Sequence, residues 1–352
     1  MEYNRTTEMN RTETEDIETF VAKFPLAEQL QGKHFVITGA TGLLGRCLVR
    51  CLMALRQLKG IDLSITAVVR NKDKAIGQFG EESSALRYYA YDFSQDKPFS
   101  PSSSADYIVH LASPTASKYF IDSPVETINT VVKGMDAVLR YARAAEVKSL
   151  VEVSTLEVYG TILDDSRPLA EEDQGYLDIL STRSSYPMAK RAAECLCLSY
   201  AKEYNVPVKI ARLAQTFGAG VAKDDNRVFA QFARNIINKQ PIVLHTRGEL
   251  RRCYCYTIDA ISAILFILLD GQNGEAYNVA NDETYMSIME MADYLCEHFG
   301  KGSKPVIQLQ EGLGYSPTTK LRLATEKIRQ LGWKPYFDKY TMFDRLIKSL
   351  KE

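Results

Sequence analysis

The stretch His34-Phe-Val-Ile-Thr38-Gly39-Ala-Thr41-Gly42-Leu43-Leu44-Gly45 sets the reading of the whole chain. A short apolar strand, His34–Thr38, runs into three glycines at every third position, and a helical pattern follows over Leu43–Leu58. Glycines permit a tight turn there. They also let backbone N–H groups approach a pyrophosphate at the positive end of a helix. The order strand, glycine loop, helix gives the motif its meaning, because a glycine cluster without that context is only a turn. The spacing is G-x-x-G-x-x-G, not G-x-G-x-x-G.

Outward from that loop, strands and helices alternate. Strands are expected at Ser64–Val69, Ala85–Tyr91, Tyr107–Leu111, Leu150–Ser154 and Val208–Leu213, with long helices at Val125–Ala145 and Tyr186–Tyr204. That rhythm implies right-handed crossovers and a parallel sheet covered on both faces. The fold class expected is α/β: a Rossmann doubly wound parallel sheet with a smaller C-terminal α/β substrate-binding lobe. Residues 32–213 form the NAD(P)-binding domain, with 254–270 returning to it. Residues 214–253 and 271–352 are expected to form the lobe. Beyond Leu213 the rhythm breaks into helices at Phe229–Asn238, Ile258–Leu269 and Ile288–Phe299 and short strands at Ile242–His245 and Ala276–Val279. Residues 1–31 read as an extension, frayed to residue 13 and then helical from Glu15 to Leu30.

Composition narrows the function classes. Of the 352 residues, 45% are hydrophobic and 25% charged, which is a globular balance. The formal net charge of −1 offers no basic excess for nucleic acid. The acidic start carries no signal-peptide core, and the longest apolar run, Ile261–Leu269, is too short to span a bilayer. A cytoplasmic protein with no membrane contact is therefore expected. Seven cysteines and four histidines are present. Cys195-Leu-Cys197 and Cys253-Tyr-Cys255 lack the spacing of zinc ligands, so no metal site and no disulfide framework is expected.

Two further features point to chemistry. The second strand ends at Arg70, where an acid would take a ribose 2′-OH and an arginine accommodates a 2′-phosphate, so NAD is expected and NADP stays open. Tyr186-Pro-Met-Ala-Lys190 sets a phenol and an ammonium four residues apart on one helical face. A neighbouring cation favours the phenolate and is expected to lower the tyrosine pKa towards neutrality. Such a phenol can take a hydroxyl proton while hydride leaves the same carbon.

With these motifs the chain resembles the extended short-chain dehydrogenases/reductases, the NAD-dependent epimerase/dehydratase family of nucleotide-sugar enzymes. Val153-Ser-Thr155-Leu-Glu157-Val-Tyr159-Gly160 is similar to their S-[ST]-x-E-V-Y-G segment, and the resemblance runs from about Lys33 to Trp333. It implies that Thr155 bridges the sugar hydroxyl and Tyr186, and that Glu157 is the acid carried by dehydratases and decarboxylases. Asp92 and Phe93 match the segment at the adenine, and Leu111, Ala112 and Ser113 the segment beside the cofactor. Arg212-Leu-Ala-Gln215-Thr-Phe-Gly218, Asn226-Arg227-Val228-Phe229 and Arg252-Cys-Tyr-Cys-Tyr256 look like decarboxylase-type substrate segments. They assign Gln215, Arg227, Val228 and Arg252 to the nucleotide sugar, with the two arginines on the diphosphate. The resemblance also implies a homodimer through the two long helices.

The departures are informative. Leu156 replaces the aspartate that 4,6-dehydratases use as general acid, Val131 falls where relatives show asparagine, and Gln215 stands for asparagine. Glu157, Arg252 and the T-F-G segment favour a UDP-glucuronate decarboxylase-like activity through transient C4 oxidation, with dehydratase or epimerase as the alternative. An NADPH-dependent carbonyl reductase would suit Arg70 but leaves the diphosphate arginines unexplained. A non-catalytic cofactor sensor would have no need of Thr155, Tyr186 and Lys190 together.

Overall fold

The computed structural model describes residues 9–95, 97–102, 104–115, 117–310 and 318–352. The chain opens on α1 (Arg11–Lys23). It then alternates through β1 (Lys33–Thr38), α2 (Leu43–Lys59), β2 (Leu63–Val69), α3 (Lys72–Phe79), β3 (Leu86–Ala90), β4 (Tyr107–His110), α4 (Ser117–Asp122), α5 (Pro124–Ala144), β5 (Ser149–Thr155), α6 (Ser185–Tyr204) and β6 (Val208–Leu213). The remainder runs β7 (Gln215–Phe217), α7 (Val228–Ile237), β8 (Val243–Leu244), β9 (Arg251–Tyr256), α8 (Thr257–Asp270), β10 (Ala276–Val279), β11 (Asn281–Ser287), α9 (Ile288–His298), β12 (Val306–Ile307), β13 (Lys320–Leu321), α10 (Glu326–Gln330) and α11 (Lys339–Lys351).

The main sheet has the order β10-β6-β5-β4-β1-β2-β3, and every pairing in it is parallel. Reversal of strand order beside β1 makes it the doubly wound α/β fold. Because side chains alternate across a strand, one sequence builds two cores. Val36, Val68, Ile108, Leu150 and Ile210 pack with Val138 and Leu139 of α5 and Ala193 of α6. Phe35, Ile37, Ile65, Val109 and Val151 pack on the other face with Leu48 and Leu52 of α2 and Ile261 and Leu265 of α8.

The smaller sheet grows directly from the larger one. Beyond Ala214 the chain of β6 continues as β7, and beyond Ala280 that of β10 continues as β11. Both β7 and β11 then flank β9, which also pairs with β13. The second layer is thus fixed at the carboxyl ends of the main strands, where ligands bind in open α/β sheets.

Three differences from the sequence reading have physical causes. The N-terminal helix starts at Arg11, inside the segment expected to fray, because Asn10 and Glu13 form a capping box. It ends before Pro25, and a separate 3-10 turn follows at Ala27–Leu30, replacing one helix to Leu30. Ala276–Val279 is the seventh strand of the main sheet, paired with β6, and not part of the lobe. The first eight residues, expected to fray, lie outside the described residues.

Candidate functional site

The turn after β1 is shaped for a phosphate. Gly39 has φ +65, and a Cβ there would stand 2.9 Å from the Ala112 nitrogen; one on Gly45 would stand 2.2 Å from the Gly39 carbonyl oxygen. Only glycine fits either position. Gly42 is the N-cap of α2 and supplies no side-chain cap. The first-turn N–H groups of Leu43, Leu44 and Gly45 therefore face outward at the helix's positive end, beside Thr41. Next to the turn, Thr38 Oγ1 accepts the N–H groups of Leu111 and Ala112, each at 3.1 Å. It also bonds His110 Nδ1 at 2.7 Å, which holds the Leu111–Ser113 segment against the loop.

Towards the edge of the main sheet, Asp92 follows β3 and Arg70 follows β2. The Ser94 backbone N–H bonded to Asp92 holds its carboxyl below the ordinary value, with the nearby Arg70 charge contributing. Arg70 is exposed, whereas Phe93 is buried against His110, ring centroids 5.3 Å apart. The glycine cradle and the uncapped helix end fit the pyrophosphate of NAD.

β5 and α6 bring the Thr155, Glu157, Tyr186 and Lys190 segments together. Thr155 ends β5, lies near enough to Tyr186 to favour its phenolate, and accepts the Glu157 N–H at 3.2 Å. Lys190 Nζ is buried and donates to Glu152 Oε1 at 2.7 Å and to the Val153 carbonyl at 2.8 Å. The lysine lowers the Tyr186 pKa, as expected. Burial outweighs it, however, and the Glu157 and Glu152 carboxylates add to burial, so the phenol lies above its ordinary 10. That corrects the expectation of a tyrosine drawn towards neutrality.

Several residues here escaped the sequence reading. Arg183, three positions before Tyr186, donates to both Glu157 oxygens at 2.9 and 3.2 Å. Its guanidinium lies 5.1 Å from the Phe120 ring centroid, and Phe120 stacks face to face on Tyr186 at 4.2 Å. Glu152 was the more legible omission, since an acid between Val151 and Val153 of a buried strand demands a partner.

On the substrate side, strand register links the pieces. Thr155 pairs with Leu213, Gln215 pairs with Tyr254, and Gln215 Oε1 accepts from Arg252 Nη1 at 3.4 Å. Among the described residues Arg252 Nε and the Tyr254 hydroxyl are buried without partners. Buried polar groups ordinarily find a partner, so these two stand out. Arg227, the N-cap of α7 just before Val228, differs: its guanidinium is paired with Asp225 at 2.6 Å. Leu156 is packed in the main core, 2% exposed, so no acid group occupies that position.

The family model described as the NAD dependent epimerase/dehydratase family matches residues 35–280, from β1 to the end of β10. The chain belongs to that family. UDP-glucuronic acid decarboxylase 2 of Arabidopsis thaliana is 28% identical over 318 residues, covering 89% of this chain and 67% of the relative. A UDP-N-acetylglucosamine 4-epimerase from Methanobrevibacter ruminantium aligns with TM-score 0.75 at 20% identity, over 91% of this chain and 98% of its own. The dTDP-glucose 4,6-dehydratase of Streptomyces venezuelae, crystallised with NAD, aligns with TM-score 0.72 at 21% identity, over 90% and 97%. At such identities the two structures establish the fold shared across the family. Among the described residues no cluster of three His, Cys, Asp or Glu could hold a metal, and no helix is long and apolar enough to cross a membrane.

Proposed function

We propose that this family member decarboxylates UDP-glucuronate through transient oxidation at C4. The observation that carries the reading is the meeting of Thr155, Tyr186 and Lys190 beside a glycine cradle, with Arg252 of β9 donating to Gln215 of the neighbouring β7. Bound NAD supplies the hydride acceptor at C4. Tyr186, bridged to the C4 hydroxyl by Thr155, takes its proton, and the Lys190 ammonium steadies the phenolate. A C4 ketone makes the neighbouring carboxylate labile, because the electrons released with CO2 are delocalised onto the carbonyl. Glu157, held by Arg183, is the acid beside the reacting carbons. Arg252, freed of any carboxylate partner among the described residues, grips the anionic part of the substrate in charge-assisted bonds.

Relatives named UDP-glucuronic acid decarboxylases support this choice. Leu156 favours it over dehydration, since a packed leucine cannot protonate a leaving hydroxyl. Arg227 joins the diphosphate by exchanging Asp225 for phosphate oxygens. NAD is the cofactor proposed, and Arg70, exposed at the end of β2, leaves NADP open to use. A homodimer is proposed through α5 and α6, where Val125, Ile128 and Leu198 are exposed. Purified protein incubated with NAD and UDP-glucuronate, followed by mass spectrometry, tests the reading. A product lighter by one CO2 supports it, and unchanged UDP-glucuronate beside turnover of another nucleotide sugar overturns it.

A further inference from the structure

Glu152 carries a carboxylate in the middle of a parallel strand whose neighbours are apolar, and its side chain is 1% exposed. Lys190, at 3%, is its ion-pair partner, and Glu152 Oε2 has no partner among the described residues. A buried pair of this kind is weak evidence for stability, because desolvation consumes most of the Coulomb gain. Its position suggests another use. The ammonium that steadies Tyr186 is anchored from below by a full negative charge and by the Val153 carbonyl.

The other charged groups around the pair are already engaged. Glu194 of α6 accepts from Ser154 Oγ at 2.5 Å and from Arg212 at 2.7 Å. Glu157 is held by Arg183. His110, across the strand from Glu152, is kept neutral by burial, its pKa pushed down to about 3. Burial likewise pushes the Cys197 thiol up, so it stays uncharged. Glu152 is thus the unshared negative charge in contact with Lys190.

We propose that Glu152 is a positioning residue that pins the Lys190 ammonium and cancels part of the field this ammonium exerts on the Tyr186 phenol. The inference rests on the reading of Tyr186 as the proton-accepting group. It accounts for a carboxylate at the buried strand position from which the ammonium four residues beyond Tyr186 is held. It also assigns the lysine's anchor to β5, at the base of the site.

Tyrosinate absorbance titration tests it on the full-length chain saturated with NAD. The signal of Tyr186 is the difference between the protein and its Tyr186→Phe counterpart, measured with Glu152 and again with Glu152→Gln. Glutamine keeps an acceptor for the ammonium and removes the charge. Tyr186 is expected to ionise about one pH unit lower in the Gln background, a tenfold change, with the acidic limb of sugar turnover moving alike. Coincident titrations overturn the inference. A shift to higher pH overturns it too, since Glu152 would then serve only to keep Lys190 protonated. The titration requires no sugar, so a shifted Tyr186 in a protein inactive on nucleotide sugars keeps this inference and removes the proposed function. Should Glu152→Gln fail to fold, Lys190→Met decides: a rise under about one unit fits an offset cation, and a rise of several units contradicts it.

Discussion

Arg252 illustrates how a single residue can be read from what it lacks. Its neighbour Arg251 is held by Glu290 at 2.9 Å, whereas Arg252 meets only the neutral amide of Gln215 among the described residues. An arginine left in that state on a central strand is poised for an external anion. Replacing Arg252 by Ala should weaken UDP-glucuronate binding at least about tenfold, the order expected for a lost charge-assisted hydrogen bond. NAD affinity should not change. Calorimetric titration of both ligands checks this, and equal loss for the two would mean a general collapse of the site. Lysine should not rescue the loss, since a point charge cannot replace a planar fork. Tyr186 and Lys190 were legible in the sequence because four-residue spacing on a helix is local information. The partners of Glu152 and Arg183 were not, since tertiary structure fixes them: Lys190 lies 38 residues from Glu152, and Glu157 lies 26 from Arg183.

At the scale of elements, the strand–loop–helix of β1 and α2 carries the strictest requirement. A methyl on Gly45 would sit 2.2 Å from the Gly39 carbonyl, so Gly45→Ala must displace the loop or the helix. Cofactor binding is expected to fall at least about tenfold, with a lowered unfolding midpoint in the absence of cofactor; near-normal NAD affinity would contradict the cradle. This loop was legible because its glycines and flanking patterns are contiguous. The seventh strand was not, because Ala276–Val279 is too short to declare its sheet, and only pairing with β6 decides it. The start of α1 was misread for a different reason: Asn10 and Glu13 look like polar surface until their reciprocal cap is seen. Arg227 carries a pairing that its motif does not announce, since Asp225 two residues earlier closes on its guanidinium.

Across the whole molecule, α1 ties the cofactor half to the C-terminus through buried acids. Asp16 bonds Tyr256 at 2.7 Å and Arg345 at 2.5 Å, while Asp259 at the start of α8 accepts the Tyr336 N–H at 2.6 Å. Burial raises Asp259 from 3.8 to about 8 and Asp16 to about 6. The folded chain therefore keeps these protons to higher pH than the unfolded chain does. Their stabilisation is whole below 3.8 and is lost as pH rises through about 6 and about 8. Asp259→Asn, which retains the acceptor, should flatten the fall in thermal stability between about pH 4 and 8. Identical slopes for both proteins would contradict a buried neutral Asp259. In the proposed reaction, hydride leaves C4 of the nucleotide sugar and returns to it. The most direct test uses UDP-glucuronate deuterated at C4, with NAD and the full-length protein. The account predicts a decarboxylated product that retains deuterium at C4, with no accumulation of reduced cofactor. Loss of the label, or reduced cofactor formed in step with product, would contradict it.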